Sequence, residues 1–556
     1  MCLAFRNPLS FLFCLSLFFV CVSATAQPTF NKKTAQQHIE YLASDELEGR
    51  MTGTEGETKA ANYIASEFKK LGLTNTESTN YFEKFSFVAN RAIDSDITFA
   101  INKDNLLENG KITALRQSGS GNYKGQIFDA GHGLVAADLD VNHFKNIPQN
   151  AAYLIRFSTA KGHDPHSKMH KHATIAQKII NAQKHGAKAI VFINEDSTYR
   201  VPEFKFMPQS KSLDIPIVYF DSVIKLKKVK NKLQLKINVE NRLAEGKNVV
   251  AQLNNNAKKN IIIGAHYDHL GYGKNGSLST EKNAVHNGAD DNASGVALML
   301  QIAELLASND LKENYNYIFI AFSGEELGLF GSSSYINNKS TEFHNSVNCM
   351  INFDMVGRMS KENELAINGT GTSPYWKNTL SQLNNDSLKL TLNASGTGPS
   401  DHTSFYLKEI PVLHFFSGNH KDYHKPSDDF DKINYNGIEL IYNYVVRLIL
   451  ATNQQPKLSF TKTKEVAKMA SSFTVTLGIM PSYIYSGKGL KVDGVTEGKP
   501  GKKGGLKAGD VIVKMGNLDI IDIYSYMEGL SKYKRGESTE IEVLRENKPQ
   551  TLQITF

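Results

Sequence analysis

Residues 266–271, with the sequence His-Tyr-Asp-His-Leu-Gly, place metal-binding side chains directly after an apolar run. The run at 261–265 is short, uninterrupted and rich in β-branched residues, which is typical of a buried parallel strand. Because residues two apart on a strand point the same way, we expect His266 and Asp268 on one side of it. His266 could then bind a metal while Asp268 holds its second ring nitrogen and fixes the tautomer.

Further metal-binding residue types stand at the ends of other predicted strands or in the segments that follow them. In chain order they are Asp290, Glu325 with Glu326, Asp354 and His424. In open α/β sheets, ligands bind in the crevice outside the carboxyl ends of the strands, so one crevice can collect these side chains. Two histidines and three carboxylates, with the adjacent Glu325 and Glu326 counted as one ligand, suit zinc. Five protein ligands are too many for one catalytic zinc, which predicts two ions about 3.5–4 Å apart with a shared carboxylate.

The elements that must position these side chains alternate between strands and helices. Apolar strand-like runs at 261–264, 317–322, 349–353 and 411–416 are separated by helical segments. Such alternation predicts an α/β fold with a mixed, mostly parallel sheet flanked by helices. Upstream, residues 27–88 are predicted to be helical, interrupted by a polar, glycine-punctuated loop.

Five motifs in order resemble those of the secreted di-zinc aminopeptidases, the family of the leucyl-type, aminopeptidase S and aminopeptidase Y enzymes. The motifs are GAHYDHLG, NGADDNASG, FSGEELGLFGS, NFDMVG and DYHKPSDD. This resemblance implies a zinc-peptidase-type fold in which Asp290 bridges two zinc ions. It places His266 and Asp354 at one zinc, and Glu326 and His424 at the other.

Other side chains are predicted to support the chemistry. Glu325 adjoins a ligand without being one, and the match of the Glu-Glu pair identifies it as the general base that passes the proton of water to the leaving amine. Asp268 is predicted to orient His266. Tyr423 could donate its hydroxyl to the tetrahedral oxyanion. His269 is predicted to order its loop or support a ligand, and not to bind metal itself.

Two accessory modules resemble known domains. The pattern AQKIINAQKHGAKAIVFIN, followed later by DIPIVYF, resembles the protease-associated domain inserted into many members of the family, which implies either substrate access or a simple spacer. The C-terminal LGI and GGLKAGDVIVKMGNLDI resemble a PDZ domain. A PDZ groove accepts an extended peptide by strand addition, and the Leu477-Gly-Ile loop would hold a carboxylate through backbone N–H groups. The alternative is that the C-terminal module has only a structural role.

Composition and the first residues limit the remaining choices. A net charge of +7 is spread over 556 residues without a long basic block, which argues against nucleic-acid binding. Arg6, an apolar run at 9–22 and a small-x-small site at 24–26 predict a signal peptide and an exported protein, periplasmic or extracellular. The run is short for a membrane span, so no stable span is expected after cleavage. Beyond this segment Cys349 is the only cysteine, so no intrachain disulfide is expected.

The sequence therefore predicts a secreted zinc-dependent aminopeptidase with two Zn²⁺ per chain that removes N-terminal residues from peptides. A glutaminyl-cyclase-like or carboxypeptidase-type enzyme on the same scaffold, and a non-catalytic peptide-binding receptor, remain the alternatives. The predicted organisation is a signal peptide at 1–26, a catalytic domain at 27–91 and 241–453, an inserted β-rich α+β protease-associated domain at 92–240, and a PDZ-like β domain at 465–556.

Overall fold

The computed structural model describes residues 29–556 except 76–79, 94–95, 116, 160–168, 170–171, 196–212, 223, 225, 228–229, 310–312, 386–387, 464–474, 483–484, 486, 497 and 522. The predicted signal peptide lies outside the described residues. The described chain begins with α1 (Lys32–Leu42), α2 (Glu55–Lys70) and β1 (Phe82–Ile93). The two helices agree with the sequence prediction, but the helical prediction to residue 88 is wrong. From Phe82 onwards aromatic and polar residues alternate, which is a period of two and suits a strand.

The segment after β1 forms a sheet of its own. Its elements are β2 (Thr98–Ile101), β3 (Asp104–Asn105), β4 (Ile112–Ala114), β5 (Gly121–Asp129), β6 (Val135–Ala136), β7 (Val141–Asn142), β8 (Ala152–Arg156), α3 (Ile175–Lys184), β9 (Ala189–Ile193), β10 (Ile217–Phe220) and β11 (Asn231–Ile237). Eight of the strands pair in the order β3-β2-β11-β5-β8-β9-β10-β4. Neighbours such as Tyr153 and Leu154 join different apolar clusters, so this sheet is covered on both faces.

A second eight-stranded sheet carries the residues predicted to do chemistry. Its further elements are β12 (Val239–Leu253), β13 (Asn260–His266), α4 (Gly295–Ser308), β14 (Asn316–Phe322), α5 (Phe330–Asn337), α6 (Thr341–Ser346), β15 (Val347–Phe353), β16 (Glu364–Asn368), α7 (Pro374–Gln382), β17 (Lys389–Asn393), α8 (His402–Tyr406), β18 (Val412–Phe416) and α9 (Tyr435–Asn453). The strand order is β1-β12-β14-β13-β15-β18-β16-β17. This confirms the predicted mixed α/β fold.

The centre of this sheet is parallel. Strands β14, β13, β15 and β18 run in one direction, whereas β12 and β16 are antiparallel to their central neighbours. Every residue of β14 and β15 is buried, because helices cover both faces. The carboxyl ends of the central strands therefore meet at one edge, and the loops that leave that edge share one crevice.

The C-terminal module is a small β domain with two helices. Its elements are β19 (Ile479–Pro481), β20 (Leu490–Val495), α10 (Pro500–Lys503), β21 (Val511–Met515), β22 (Leu518–Asp519), α11 (Ile523–Ser531), β23 (Ser538–Arg545) and β24 (Lys548–Thr555). The sheet order is β19-β20-β21-β23-β24, with β22 paired to β21. Its apolar residues form a separate core. Of the helices in the described part of the chain, none has the length and apolar character to cross a membrane.

Candidate metal centre

Three parallel strands position the side chains at the centre of the candidate site. Strand β13 ends at His266, and β15 ends at Phe353, directly before Asp354. Strand β14 ends at Phe322, and the loop that follows it carries Glu325 and Glu326. Because these strands are parallel neighbours, their ends lie side by side.

The strand-end group consists of His266, Asp291 and Asp354. The Nε2 atom of His266 lies 3.3 Å from Asp354 Oδ1 and 3.4 Å from Asp291 Oδ1. One potential ligand atom from each of the three residues lies within 4.8 Å of the other two. Burial alone would raise the pKa of Asp354, but the adjacent His266 overrides it and holds that pKa at about 2. His266 and Asp354 are thus a charge-complementary pair when no other cation is present.

The loop group consists of Asp291, Glu326, His269 and His424. His424 Nε2 lies 3.3 Å from Asp291 Oδ2 and 3.3 Å from Glu326 Oε2. His269 Nδ1 lies 2.7 Å from Glu326 Oε1 and 3.8 Å from Asp291 Oδ2. Although burial opposes the charged imidazolium, these carboxylates raise the pKa of His424 to about 11. Asp291 belongs to both groups, with one carboxylate oxygen facing each.

The bridging position is therefore held by Asp291 and not by Asp290, which corrects the sequence prediction. Asp290 Oδ1 accepts hydrogen bonds from the Gly357 N–H at 2.6 Å and from the Ser294 hydroxyl at 3.0 Å. Its other oxygen lies 3.1 Å from His420 Nε2. These contacts turn the Asp290 carboxylate away from the two groups. The sequence contains two adjacent aspartates directly before α4, and only the backbone path, which is non-helical at Asp291, decides which one faces the crevice.

Glu325 is half-buried beside the strand-end group but belongs to neither group. Burial raises its pKa well above the usual range, and the carboxylates of Glu326 and Asp354 raise it further, while His266 opposes them. Its carboxyl group lies beside the cluster without belonging to either group, which is the position that a general base requires.

Asp268 acts differently from the sequence expectation. Its carboxylate Oδ1 is 3.8 Å from His266 Nδ1, whereas the main-chain oxygen of Asp268 lies 3.2 Å from that nitrogen. The carboxylate accepts instead from the Thr52 hydroxyl at 2.9 Å and from the N–H groups of Glu325 and Glu326 at 3.1 and 3.4 Å. Strand β13 ends at His266, so the rule that residues two apart share a side no longer applies at Asp268. Asp268 thus anchors the Glu325–Glu326 loop.

Tyr423 stacks on the ring of His424, with ring centroids 3.9 Å apart. Burial raises the pKa of Tyr423, and the nearby carboxylates of Asp291 and Glu326 raise it further. Its hydroxyl therefore stays protonated and remains a hydrogen-bond donor beside the cluster, as the predicted oxyanion role requires.

Arg50 is a buried positioning residue that the sequence analysis did not single out. Its guanidinium donates to the carbonyl oxygens of Tyr267, Asn287 and Gly288 at 2.7, 2.6 and 3.0 Å, and also to that of Leu42. Three of these carbonyls belong to the two segments that carry His266 and Asp291. Burial lowers the pKa of Arg50 to about 10, so the side chain stays charged at neutral pH. One arginine in a polar loop gives no sequence signal of such burial.

Asp428 is a second missed residue. One oxygen of its carboxylate accepts from the backbone N–H groups of Asp290 and Asp291, at 3.0 and 3.1 Å. It therefore fixes the backbone of the bridging position from the loop that follows His424. The DYHKPSDD motif contained Asp428, but the residue is one of several acids there and nothing in the pattern distinguished it.

The donor set fits divalent metal ions. Several carboxylates lie together in a buried crevice with imidazole nitrogens between them, and desolvated carboxylates in such numbers need compensating positive charge. One potential ligand atom from each of His269, Asp291 and Glu326 lies within 4.8 Å of the other two. Mixed imidazole and carboxylate ligands are those that zinc accepts. The two groups offer two positions that share Asp291.

The fold and this crevice together define an α/β metallopeptidase domain. Residues 248–449 match the peptidase family M28, and residues 462–556 match the PDZ domain. The chain thus carries a family M28 peptidase domain followed by a PDZ domain, as the sequence motifs indicated. The assignment of the insertion at 92–240 to a protease-associated domain remains a prediction.

Individual relatives agree with this class. Aminopeptidase YwaD of Bacillus subtilis is 28% identical over 316 residues, which are 54% of this chain and 64% of the relative. An aminopeptidase of Pseudomonas aeruginosa is 24% identical over 336 residues, which are 58% of this chain and 56% of the relative. These matches span less than two thirds of either relative. The solved structure of a zinc aminopeptidase from Bacillus subtilis is similar over 80% of this chain and 97% of that one, at 24% identity and a TM-score of 0.44.

Proposed function

We propose that the protein is an exported, zinc-dependent aminopeptidase that binds two Zn²⁺ per chain and removes N-terminal residues from peptides. The observation that carries the proposal is the position of Asp291 between two histidine-carboxylate groups. The predicted ligand set is kept, with Asp291 in place of Asp290. The curated relatives named aminopeptidases support the reaction class, and the predicted signal peptide at 1–26 supports export.

Each step of the proposed reaction is assigned to particular residues of the chain. Bound zinc ions would polarise the scissile carbonyl and lower the pKa of water. Glu325 takes a proton from the attacking water and delivers it to the leaving amine. Tyr423 donates its hydroxyl hydrogen to the oxyanion that forms at the carbonyl carbon. Asp268 and Thr52 hold the loop that carries Glu325, and Arg50 fixes the segments that carry His266 and Asp291.

Hydrolysis of an aminoacyl-p-nitroanilide tests the proposal, with zinc measured on the same sample. We expect turnover that a chelator abolishes, about two zinc ions per chain, and no turnover of the N-acetylated analogue. A glutaminyl-cyclase-like enzyme would instead cyclise an N-terminal glutamine, and a carboxypeptidase would prefer N-blocked peptides. A receptor would hydrolyse or cyclise none of these substrates. Any of these results would contradict the proposal.

Glu325→Gln tests the base. The amide keeps the shape but cannot take a proton, so we expect the zinc content to stay unchanged while kcat falls by at least about 10³-fold. Glu362→Gln, an exposed acid in the turn before β16, is the matched control and should behave as wild type. Near-normal turnover by Glu325→Gln would show that another group is the base.

A further inference from the structure

A small cavity, called here the loop-side cavity, lies beside the loop group of the metal centre. Three segments of the chain form its walls: residues 51–52, residues 269–270 with 275–276, and residues 326–327. It encloses about 340 Å³, including the open space at its mouth. His269 and Glu326 belong both to its wall and to the loop group. A side chain that fills the cavity therefore lies directly against the proposed metal position.

The lining of the loop-side cavity favours an apolar occupant. Its apolar side chains are Met51, Leu270 and Leu327. Two of its polar side chains are already engaged elsewhere. The Thr52 hydroxyl donates to Asp268 at 2.9 Å and accepts from the Gly324 N–H at 3.0 Å, and Glu326 Oε1 lies 2.7 Å from His269 Nδ1. The cavity thus matches an apolar side chain, which gains free energy by leaving water.

The outer wall of the cavity is fixed to the metal centre. His424 Nδ1 donates to the Gly276 carbonyl at 3.0 Å, and the Leu278 N–H donates to the His424 carbonyl at 2.9 Å. Gly276 has a φ of +79°, and a Cβ there would lie 2.9 Å from Leu270 Cδ2. A larger residue at this position would therefore push into the lining. The contacts that hold the His424 ring in place thus also set the width of the cavity.

The proposed reaction indicates which substrate side chain lies in this cavity. Glu325 delivers a proton to the leaving amine, and Leu327 of the cavity wall is two residues further along the same loop. Tyr423, which donates to the oxyanion, packs instead against an apolar cluster that contains Met355 and Phe416. The carbonyl group belongs to the first residue of the peptide, and the leaving nitrogen belongs to the second. The second residue is therefore the one beside the Glu325 loop.

We propose that the loop-side cavity binds the side chain of the second residue of the peptide, the residue that carries the leaving amine. This inference rests on the proposed aminopeptidase function and deepens it. The preferred substrates are peptides with an unblocked N-terminus and a medium-sized aliphatic residue, such as leucine, in second position. The enzyme then selects its substrates on both sides of the bond that it cleaves.

A series of dipeptide amides tests this on the full chain. All share the N-terminal residue of a hydrolysed anilide, and the second residue is glycine, alanine, leucine, lysine or aspartate. We expect kcat/KM for leucine to exceed that for glycine by at least about tenfold, the size expected for filling an apolar cavity, and to exceed those for lysine and aspartate as well. Equal values for leucine and glycine, or a preference for a charged second residue, would overturn the inference.

Two variants of Leu327 locate the preference. Leu327→Phe fills the cavity, so the leucine-to-glycine ratio of kcat/KM should fall to within about twofold. Leu327→Ala enlarges it, so a second-position phenylalanine should become the preferred residue. Leu407→Phe, at an exposed leucine directly after α8, is the control and should leave the ratio unchanged. An unchanged ratio in both Leu327 variants, or a change in the preferred first residue instead, would contradict the proposed site.

A binding measurement separates this inference from the reaction itself. Calorimetry on zinc-loaded Glu325→Gln should show the leucine dipeptide amide binding at least about tenfold more tightly than the glycine one. Equal affinities would overturn the inference. If wild type hydrolysed no anilide while this binding preference persisted, the aminopeptidase function would be refuted and the assignment of the cavity to an apolar side chain would stand.

Discussion

The two groups of the candidate metal centre are held in place by different means. In the strand-end group, His266 is the last residue of β13 and pairs in the ladder with β14, and the Asp354 N–H donates to the Phe415 carbonyl of β18 at 3.2 Å, so the parallel sheet fixes both backbones. In the loop group, Glu326 and His424 lie in connections between elements. The His266 side chain is 1% exposed and that of His424 is 15% exposed. The strand-end group is therefore built by the sheet, whereas the loop group depends on contacts from elsewhere in the chain.

Those contacts come from residues far away in sequence. Thr52 donates to Asp268, and the Asp268 carboxylate accepts from the backbone of Glu326. The Gly276 carbonyl lies 3.0 Å from His424 Nδ1 and holds that ring. The difference teaches that the sheet can position the strand-end group by itself, while the loop group needs a second layer of hydrogen bonds to be held in place.

The substitution with the largest expected effect disrupts both groups at once. Asp291→Asn removes a charge from the position that both groups share, so we expect the chain to retain fewer than one zinc ion and kcat to fall by at least about 10³-fold. Metal analysis after dialysis and anilide hydrolysis measure the two effects.

Asp290→Asn is the matched comparison, because it makes the same change one residue earlier. It should keep about two ions and most activity, but lose about 1–3 kcal/mol of unfolding free energy, because the amide oxygen can still accept from Gly357 and Ser294 while the buried charge that faces His420 is lost. If Asp290→Asn lost the metals and Asp291→Asn kept them, the original sequence assignment would be correct.

A second pair of variants compares the groups directly. His424→Ala should lose the loop-group ion alone, keep about one ion per chain, and unfold near the wild-type temperature, because the side chain lies in a loop. His266→Ala should lose the strand-end ion and also destabilise the fold by about 3–5 kcal/mol, since the buried Asp354 carboxylate loses its partner. Zinc content and thermal unfolding, both without added metal, distinguish the variants. Equal destabilisation by both would mean that the groups do not differ in how they are held.

Two members of the strand-end group, His266 and Asp354, could be located at strand ends from the sequence for a physical reason. Continuous apolar runs identify parallel strands, and parallel strands bring their ends together, so His266 and Asp354 could be placed from pattern alone. The choice between Asp290 and Asp291 could not be made in the same way. It depends on a hydrogen bond from Gly357 and on the close approach of His420, both more than 60 residues further along the chain.

The supporting layer was the least predictable part. Arg50 lies in a polar, glycine-rich loop, a pattern that usually indicates solvent exposure, yet its guanidinium is fully buried by carbonyls from three segments. Asp268 was expected to hold His266 because the strand was extended past its true end. In both cases the actual hydrogen-bond partners of the buried polar group are distant in sequence, and local patterns do not contain them.

The smallest expected effect concerns His269, whose Nδ1 lies 2.7 Å from Glu326 Oε1. His269→Asn shortens the side chain and removes this contact, so Glu326 loses its orientation. We expect the zinc affinity of the loop group to fall by about 10–100-fold, the usual cost of losing a hydrogen bond to a metal ligand, with the strand-end affinity unchanged. Competition with a chelator, which reports two release phases, measures both affinities in one experiment. His344→Asn, in α6 and remote from the crevice, is the matched control.

The same experiment decides between two roles for His269, because its ring also lies close enough to Asp291 and Glu326 to share an ion with them. If His269 only orients Glu326, saturating zinc restores two ions per chain and nearly full activity to His269→Asn. If His269 is itself a ligand, His269→Asn does not bind the loop-group ion at any zinc concentration. In that case His424→Ala retains the loop-group ion. If His269→Asn lowered the zinc affinity of both groups equally, the effect of the His269 contact would not be confined to the loop group. The two groups would then not differ in how they are held.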